Sequence, residues 1–329
     1  MPRILVSASF DEALLARQTP SCSGLWGDFQ YLFQPDGEPV DGWIVYDNLR
    51  QPITQVCPPA NTLLITGEPA SLRQYRGRYT SQFGQIWTSH THIEHHHVTV
   101  KNESQHWHYG LHAGNIHQRA LTFDDLLSLD RPEKPKLLSV ICSSKVVTDD
   151  HRRRLDFVRH LQSQLGDQID VFGSGIRPIA DKSEAIWPYK YHIVLENDHS
   201  DYFMTEKLPD AFLGWSYPIY FGGTEAYHRF PEGSYTAIDI YRPEMAVKLI
   251  REVLAANLYS AATDQIAQAR KNVLWKHNLF AALNEYWQAN LLTQSPEKIT
   301  LLPKSHRAGL IFRQVQRTLV GRSSYRNAA

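Results

Sequence analysis

Cysteine is scarce in this chain of 329 residues, and its scarcity narrows the classes of protein to consider. The three cysteines, Cys22, Cys57 and Cys142, are odd in number, widely spaced and form no Cys-x-x-Cys pair. The pattern argues against the disulfide framework of a small secreted domain and favours a reducing compartment. We therefore expect a cytoplasmic protein.

A dominant charge and a long apolar run are also missing. The chain has 34 basic and 34 acidic residues, so its overall field does not point to nucleic acid as a partner. No apolar run reaches the ~18 residues that a membrane-spanning helix needs. The first ten residues, MPRILVSASF, resemble a first buried strand more than a signal peptide.

Short apolar runs separated by turn residues predict an α/β protein with two domains. Strands are predicted at 4–6, 43–46, 63–65, 135–142 and 169–172. A polar linker is predicted at 125–134, and a helix at 149–165 that Gly166 ends. Strands that alternate with helices indicate a parallel sheet, and the pattern begins afresh after the linker. We predict domains at 1–130 and 131–300, followed by a tail at 301–329.

The C-terminal third is predicted to be helical, over 245–258 and 265–283. The tail differs in composition because, from Lys304 to Arg326, it contains six Lys or Arg residues and no acid, with apolar residues between them. Such a helix can lie on an anionic membrane, where each basic residue contributes about 1 kcal/mol. A solvated helix or a frayed tail is an equally good interpretation.

The most informative stretch begins with a predicted strand at 192–195 and continues into a polar loop. Thr205 stands in an N-cap position, with Glu206 and Lys207 in the first helical turn. Ligands of open α/β sheets bind beyond the carboxyl ends of strands. We therefore predict that Asn197, Glu206 and Lys207 meet an anionic ligand. The alternative is an ion pair between Lys207 and Glu206 or another acid.

Two further segments carry candidate chemistry. Residues 151–154, His-Arg-Arg-Arg, open the helix after the strand at 135–142. Arginines there oppose the helix dipole but match phosphate oxygens, whereas the simpler interpretation is a solvated helix start. Glu68 follows the strand at 63–65 and is placed to act as a general base, although a solvated loop glutamate is the common alternative.

Histidines gather in a third segment, at positions 90, 92, 95, 96 and 97. Their spacing fits no zinc signature, and no cysteine or aspartate accompanies them, so we predict a surface loop and no metal site. Residues 107–110, Trp-His-Tyr-Gly, form an aromatic turn that either lines a sugar pocket or packs in the core.

A family resemblance is carried by residues 196–223, ENDHSDYFMTEKLPDAFLGWSYPIYFGG. This stretch resembles the donor-binding motif of the α-1,3/4-fucosyltransferases of glycosyltransferase family 10, and the spacing from Asn197 to Lys207 fits without a gap. Residues 230–238 resemble a further segment of that family. The likeness extends over about 136–285 and is thin in the first half, where it rests on residues 66–69 and, less surely, on Tyr109-Gly110.

The resemblance implies a GT-B fold, in which two Rossmann-like domains face each other across a cleft. It also implies GDP-fucose as the donor, inversion at the anomeric carbon and no essential metal. Arg154 and Lys207 would contact the diphosphate, Glu206 the ribose or sugar, and Asn197 the nucleotide. Glu68 matches the general base. The donor-binding residues implied are Arg154, Asn197, Tyr202, Phe203, Thr205, Glu206 and Lys207, with Arg152 and Arg153 as substitutes for Arg154.

One departure bears on the donor sugar. The family's tyrosine four residues before Lys207 falls on Phe203, with Tyr202 one place earlier, and phenylalanine cannot donate a hydrogen bond. Asp198 also stands where the family has serine. We expect transfer of fucose to a glycan hydroxyl, such as one of a bacterial surface polysaccharide or lipopolysaccharide. The alternatives are another nucleotide sugar or a non-catalytic nucleotide-sugar-binding scaffold.

Overall fold

The computed structural model describes residues 1–103, 106–112 and 120–304. Its strands are β1 (Arg3–Ala8), β2 (Leu25–Trp26), β3 (Phe29–Leu32), β4 (Gly42–Tyr46), β5 (Ile53–Cys57), β6 (Thr62–Ile65), β7 (Gln85–Thr88), β8 (Val98–Val100), β9 (Lys136–Ile141), β10 (Ile169–Phe172), β11 (Tyr189–Leu195), β12 (Tyr217–Phe221), β13 (Thr236–Ala237) and β14 (Glu297–Leu301). Its helices are α1 (Ala13–Ala16), α2 (Gly77–Thr80), α3 (Phe123–Ser128), α4 (Asp149–Leu165), α5 (Ser183–Ile186), α6 (Lys207–Leu213), α7 (Ala226–Arg229), α8 (Pro243–Ala255), α9 (Leu258–Ala261), α10 (Thr263–Trp275) and α11 (Leu279–Asn290).

The strands form two large sheets, one in each half of the chain. The first has the order β2-β3-β1-β4-β6-β7-β8 and is parallel except where β2 meets β3. The second has the order β10-β9-β11-β12-β13 and is parallel throughout. Its central strands β11 and β12 are buried along almost their whole length, as expected when helices cover both faces of a parallel sheet. The parallel α/β organisation therefore agrees with the prediction.

The chain returns to the first domain at its C-terminal end. Helix α11 packs against the first sheet, with Phe280, Leu283 and Trp287 in one buried cluster with Ile4 and Ile44. Strand β14 then pairs antiparallel with β5. The structure thus assigns residues 279–301 to the first domain, whereas the predicted boundary lay at 300. Helical periodicity reveals an apolar face but not the core that covers it.

The predicted linker at 125–134 is partly a packed helix. In α3, Thr122 and Asp125 form a reciprocal capping box, and Phe123 and Leu126 are buried. Lys134 is also buried, and its ammonium donates hydrogen bonds to four acceptors, including the carbonyl of Gly214 at 2.7 Å. The polar composition of this segment reflects caps and anchors as much as solvent.

Two predicted helices are interrupted. The helix predicted at 245–258 ends at Ala255 and is followed by the short α9. The helix predicted at 265–283 is split into α10 and α11 at Lys276–Asn278, where the Asn278 side chain accepts from the amide of Phe280 at 2.9 Å. An asparagine that caps a new helix start explains this break.

Residues 305–329, which carry most of the predicted basic tail, lie outside the described residues. Within the described part of the chain, the helices are too short or too polar to cross a membrane.

Candidate active site

A cleft of about 470 Å³ lies between the two domains. The first domain contributes residues that follow its strands, among them Asp47 after β4 and Glu68 after β6. The second contributes Asn197 after β11 and the start of α6. The carboxyl ends of both parallel sheets therefore meet at the cleft. Of the predicted site residues, the cleft brings together Glu68, Asn197, Phe203, Thr205, Glu206 and Lys207.

The Lys207 ammonium is held by a carboxylate beneath the cleft. It lies 3.0 Å from Oε2 of Glu196, which is fully buried, and 2.7 Å from Oγ1 of Thr205. The ion pair weighed for Lys207 therefore exists, with Glu196 as its main partner and Glu206 farther away at 3.9 Å. An ammonium has three protons, so one is left to point toward a ligand in the cleft.

Thr205 has a role other than the predicted N-cap. Helix α6 begins at Lys207 with Glu206 as its N-cap, and no side chain caps it. The Thr205 hydroxyl and amide both bond to Glu196, the amide at 2.7 Å. The hydroxyl donates its proton to this buried carboxylate, while its oxygen accepts a long hydrogen bond, of 3.5 Å, from the Lys207 amide. The observed N-cap is therefore Glu206, one residue after the predicted Thr205.

Glu206 belongs to a buried charged cluster. The Lys182 ammonium lies 2.7 Å from Oε1 of Glu206 and 2.7 Å from Oδ2 of Asp210. Burial alone would raise the pKa of Glu206, but Lys182 and Lys207 outweigh it and hold that pKa well below its usual range. Glu206 is therefore ionised and oriented toward the cleft it lines.

Sequence reasoning missed both partners of Glu206 in this cluster. Asp210 stands four residues after Glu206, so helical spacing places the two acids on one face of α6 and signals a shared cation. Lys182 precedes the short α5, and no pattern marked it.

Arg154 does not line the cleft directly. Its side chain is buried, and its Nη1 donates a hydrogen bond to the Asn197 side chain, which does line the cleft. Arg152 and Arg153 are exposed and are absent from the cleft lining. Arg153 pairs with Asp150 at 3.1 Å. The structure thus places Arg154 behind Asn197 and offers neither neighbour as its replacement.

The two aromatic residues of the donor motif separate. Phe203 is 1% exposed and lines the cleft. Tyr202 is 39% exposed and instead lines another cavity, of about 310 Å³, together with His90, His92 and His199. Tyr202 therefore does not join the other predicted donor residues, and its hydroxyl does not replace the one that Phe203 lacks.

Glu68 lies on a loop that is held by hydrogen bonds to buried residues. Its carbonyl accepts a hydrogen bond from Nε2 of His90 at 2.7 Å, and burial raises the pKa of its carboxyl. The hydroxyl of Thr66, two residues earlier, donates to buried Glu103 at 2.6 Å. Glu103 also accepts from the Ser89 amide at 2.7 Å. These contacts hold Glu68 just beyond the carboxyl end of β6, and a general base needs such a fixed position.

Histidines occupy several places around the site without forming a metal cluster. His106 and His108 line the cleft, and burial lowers the pKa of His106 to about 4, so it is neutral. Between and after them, Trp107 and Tyr109 are buried in the core. In the part of the chain that the structure describes, no three His, Cys, Asp or Glu side chains are placed to hold a metal ion.

The fold is similar to that of solved structures. A solved α1,3-fucosyltransferase is 15% identical, with a TM-score of 0.51, and the match covers 89% of this chain and 90% of that one. Another, with GDP-fucose, is 16% identical, with a TM-score of 0.46 over 83% of this chain and 90% of that one. Two α/β domains that face each other across a cleft define the GT-B fold. The chain has that fold, as predicted.

A family model matches the second domain. Residues 131–262 match the family model described as the C-terminal domain of glycosyltransferase family 10 (fucosyltransferase). This match covers most of the second domain, agrees with the family resemblance predicted from residues 196–223, and supports the prediction of a glycosyltransferase. Comparison with curated proteins finds no match.

Proposed function

We propose that this protein transfers fucose from GDP-fucose to a hydroxyl of a glycan, with inversion at the anomeric carbon. The observation that carries the proposal is the composition of the cleft. One domain supplies a carboxylate, Glu68, and the other supplies Lys207 and Asn197 within a domain of the fucosyltransferase family. A base and a phosphate-binding cation in one cleft are what a direct sugar transfer requires.

On the donor side, the diphosphate develops negative charge as the glycosidic bond breaks. Lys207 has a proton free for a phosphate oxygen, while Glu196 and Thr205 hold the ammonium in place. Arg154 adds positive charge through its hydrogen bond to Asn197. Charges that are fixed before the reaction stabilise a leaving group without reorganisation. Ionised Glu206 would accept hydrogen bonds from ribose or sugar hydroxyls.

On the acceptor side, Glu68 removes the proton from the attacking hydroxyl. Burial raises the pKa of its carboxyl, which makes its carboxylate a stronger base than a solvated glutamate. Attack from the face opposite the leaving diphosphate gives inversion in a single displacement. The proposal includes no metal ion.

We further propose that the acceptor is a bacterial surface glycan and that the enzyme works at the cytoplasmic face of the membrane. The composition of residues 304–326, basic and without acid, supports membrane contact. Co-sedimentation with anionic vesicles, lost at high salt, is the expected result. Equal binding by a chain that ends at Pro303 would contradict it.

The donor is tested by thermal unfolding with GDP, UDP and CMP. A ligand at a hundredfold excess over its dissociation constant adds about 2.7 kcal/mol of stability, so GDP alone should raise the melting temperature clearly. Stabilisation by UDP or CMP instead of GDP would mean a different donor, an outcome that Phe203 makes worth testing.

Catalysis is tested with Glu68→Gln, which keeps the side-chain size and removes the base. We expect GDP binding to persist while turnover of GDP-fucose falls by about 10²- to 10⁴-fold. Glu232→Gln, at an exposed position outside the cleft lining, is the matched control and should retain full activity. If wild type and Glu68→Gln both bind GDP-fucose without turnover, the protein is a nucleotide-sugar-binding scaffold, and if both turn it over at the same rate, Glu68 is not the base.

A further inference from the structure

A second large cavity, of about 500 Å³, opens on the first domain and shares no lining residue with the cleft. Its wall is fixed by a reciprocal pair in which Gln82 donates to the Leu302 carbonyl at 3.0 Å and accepts from the Leu302 amide at 2.7 Å. The lining residues with charge are Arg76, Arg78 and Lys304, and all three are cations.

The cations that line this cavity form no ion pair with a described acid, and Arg76 and Arg78 are the exposed ones, because the Lys304 ammonium is buried and feels Asp47 and Glu68 only from a distance. The residues outside the described part, 104–105, 113–119 and 305–329, contain no Asp or Glu, so every acidic side chain of the protein is described. None of these acids forms an ion pair with Arg76, Arg78 or Lys304. Both guanidiniums are exposed, and neither donates a hydrogen bond to a described residue.

Cations near the cleft, by comparison, are paired with acids. Arg73 pairs with Asp47, and Lys182 pairs with Glu206 and Asp210. Lys304, by contrast, has its ammonium 3.8 Å from the centre of the Tyr75 ring, with no hydrogen-bond partner in the described structure. Its amide donates to Oδ1 of Asn48 at 2.8 Å, which fixes its backbone beside the cavity.

We propose that this cavity binds a phosphate group of a ligand other than the sugar donor. Guanidinium forks match phosphate oxygens bidentately, and Arg76 and Arg78 are free to provide them. The cavity is larger than a phosphate alone, so the group to which the phosphate is attached also fits. A soluble phosphorylated glycan and a phospholipid headgroup share this chemistry. The site stands independently of the function proposed for the cleft.

Calorimetric titration with inorganic pyrophosphate at low salt tests the site. We expect Arg76→Gln/Arg78→Gln to weaken one class of binding at least about tenfold, because two charge-assisted contacts are lost. Lys207→Gln, in the cleft, should leave that class in place. The matched control is Arg159→Gln/Lys248→Gln, which also removes two exposed cations, each paired with an acid on its own helix.

Equal pyrophosphate affinity in the cavity variant and the matched control overturns the proposal. Both variants should keep the wild-type melting temperature, since the exposed arginines make no contact that folding depends on. Vesicles of phosphatidylcholine, with and without phosphatidylglycerol, then separate the two sources. Weaker binding of the cavity variant to anionic vesicles assigns a lipid headgroup, and equal binding assigns a soluble phosphorylated ligand. GDP-induced stabilisation is measured separately, so failure of this site and failure of the proposed donor are distinguishable.

Discussion

Replacement of Glu196 by Gln tests whether a buried carboxylate holds the donor side of the cleft together. Glu196 is fully buried and accepts hydrogen bonds from the Thr205 amide at 2.7 Å, from the Thr205 hydroxyl, and from the Lys207 ammonium at 3.0 Å. Glutamine keeps the shape of the side chain but removes its charge. Its NH₂ group is a hydrogen-bond donor and would face the hydroxyl of Thr205 or the ammonium of Lys207, where an acceptor is needed. The Lys207 ammonium then loses the partner of its buried side.

The expected cost follows from these contacts. Breaking one side of a buried pair costs about 3–5 kcal/mol. Lys207 is 24% exposed, so water compensates part of this loss. We expect unfolding to become easier by about 2–4 kcal/mol. With a urea dependence of about 3 kcal/mol per molar, the midpoint falls by about 1 M. GDP affinity should fall together with stability, because Lys207 is no longer oriented.

Glu285→Gln is the matched control, since it also removes a carboxylate that faces a lysine. Glu285 lies 3.4 Å from Lys101 but is 76% exposed. Exposed pairs contribute about 0–1 kcal/mol, so its urea midpoint should hardly move. The measurement is urea unfolding followed by far-ultraviolet circular dichroism. If both variants shift the midpoint equally, the buried pair does not organise this domain and the reasoning is refuted.

Three further predictions concern the first domain and the donor loop. Because burial raises the pKa of Glu68, kcat/KM should rise with pH along a limb centred above the ordinary 4.5, and a limb at or below 4.5 would contradict the assigned base. Burial raises the pKa of Glu103 from 4.5 to about 7, so its ionisation lowers the stability of the wild type as pH rises. Between pH 5 and pH 8 the stability of Glu103→Gln relative to wild type should therefore increase by up to about 3 kcal/mol. Parallel stability profiles of the two proteins would contradict this. Gly223→Ala would push a methyl group into the carbonyls of Ser200 and Phe203 and should weaken GDP binding about tenfold, whereas Gly77→Ala, with open space around it, should not.

The elements that were predicted well have local signals. Helix α4 was predicted at its observed bounds because Thr148 caps its start and Gly166 ends it. The strands at 4–6, 63–65 and 169–172 were found because buried parallel strands are short apolar runs. Long-range packing explains what was missed. No local pattern reveals that α11 crosses to the first sheet, or that β14 pairs with β5 across the intervening residues 58–296.

The candidate site was predictable where chemistry and spacing coincide in one stretch of sequence. Asn197, Glu206 and Lys207 meet at the cleft because a strand end and the next helix start are adjacent in a parallel sheet. Lys182 was missed because its partner Glu206 is 24 residues away and no periodicity connects them. Tyr202 was misplaced because adjacent residues of an irregular loop can face different cavities, and sequence alone does not give the loop dihedrals.

The contacts within residues 196–223 explain the spacing between Glu196 and Lys207. Glu196 positions Thr205 and Lys207, so the interval of nine to eleven residues is the length of loop that returns the chain to the end of β11. Gly223 packs against the same loop from the neighbouring strand end. These contacts fix the positions of Thr205 and Lys207, and on the proposed function they would serve the diphosphate of the donor whichever sugar is attached to it. Sugar selection must therefore lie with cleft side chains outside this framework, of which Phe203 is the one that departs from the family motif. We therefore expect Phe203→Tyr to change the preference for the donor sugar and to leave the affinity for GDP unchanged. Measured with GDP and GDP-fucose side by side, an equal change in both affinities would show that sugar and nucleotide recognition are not separate.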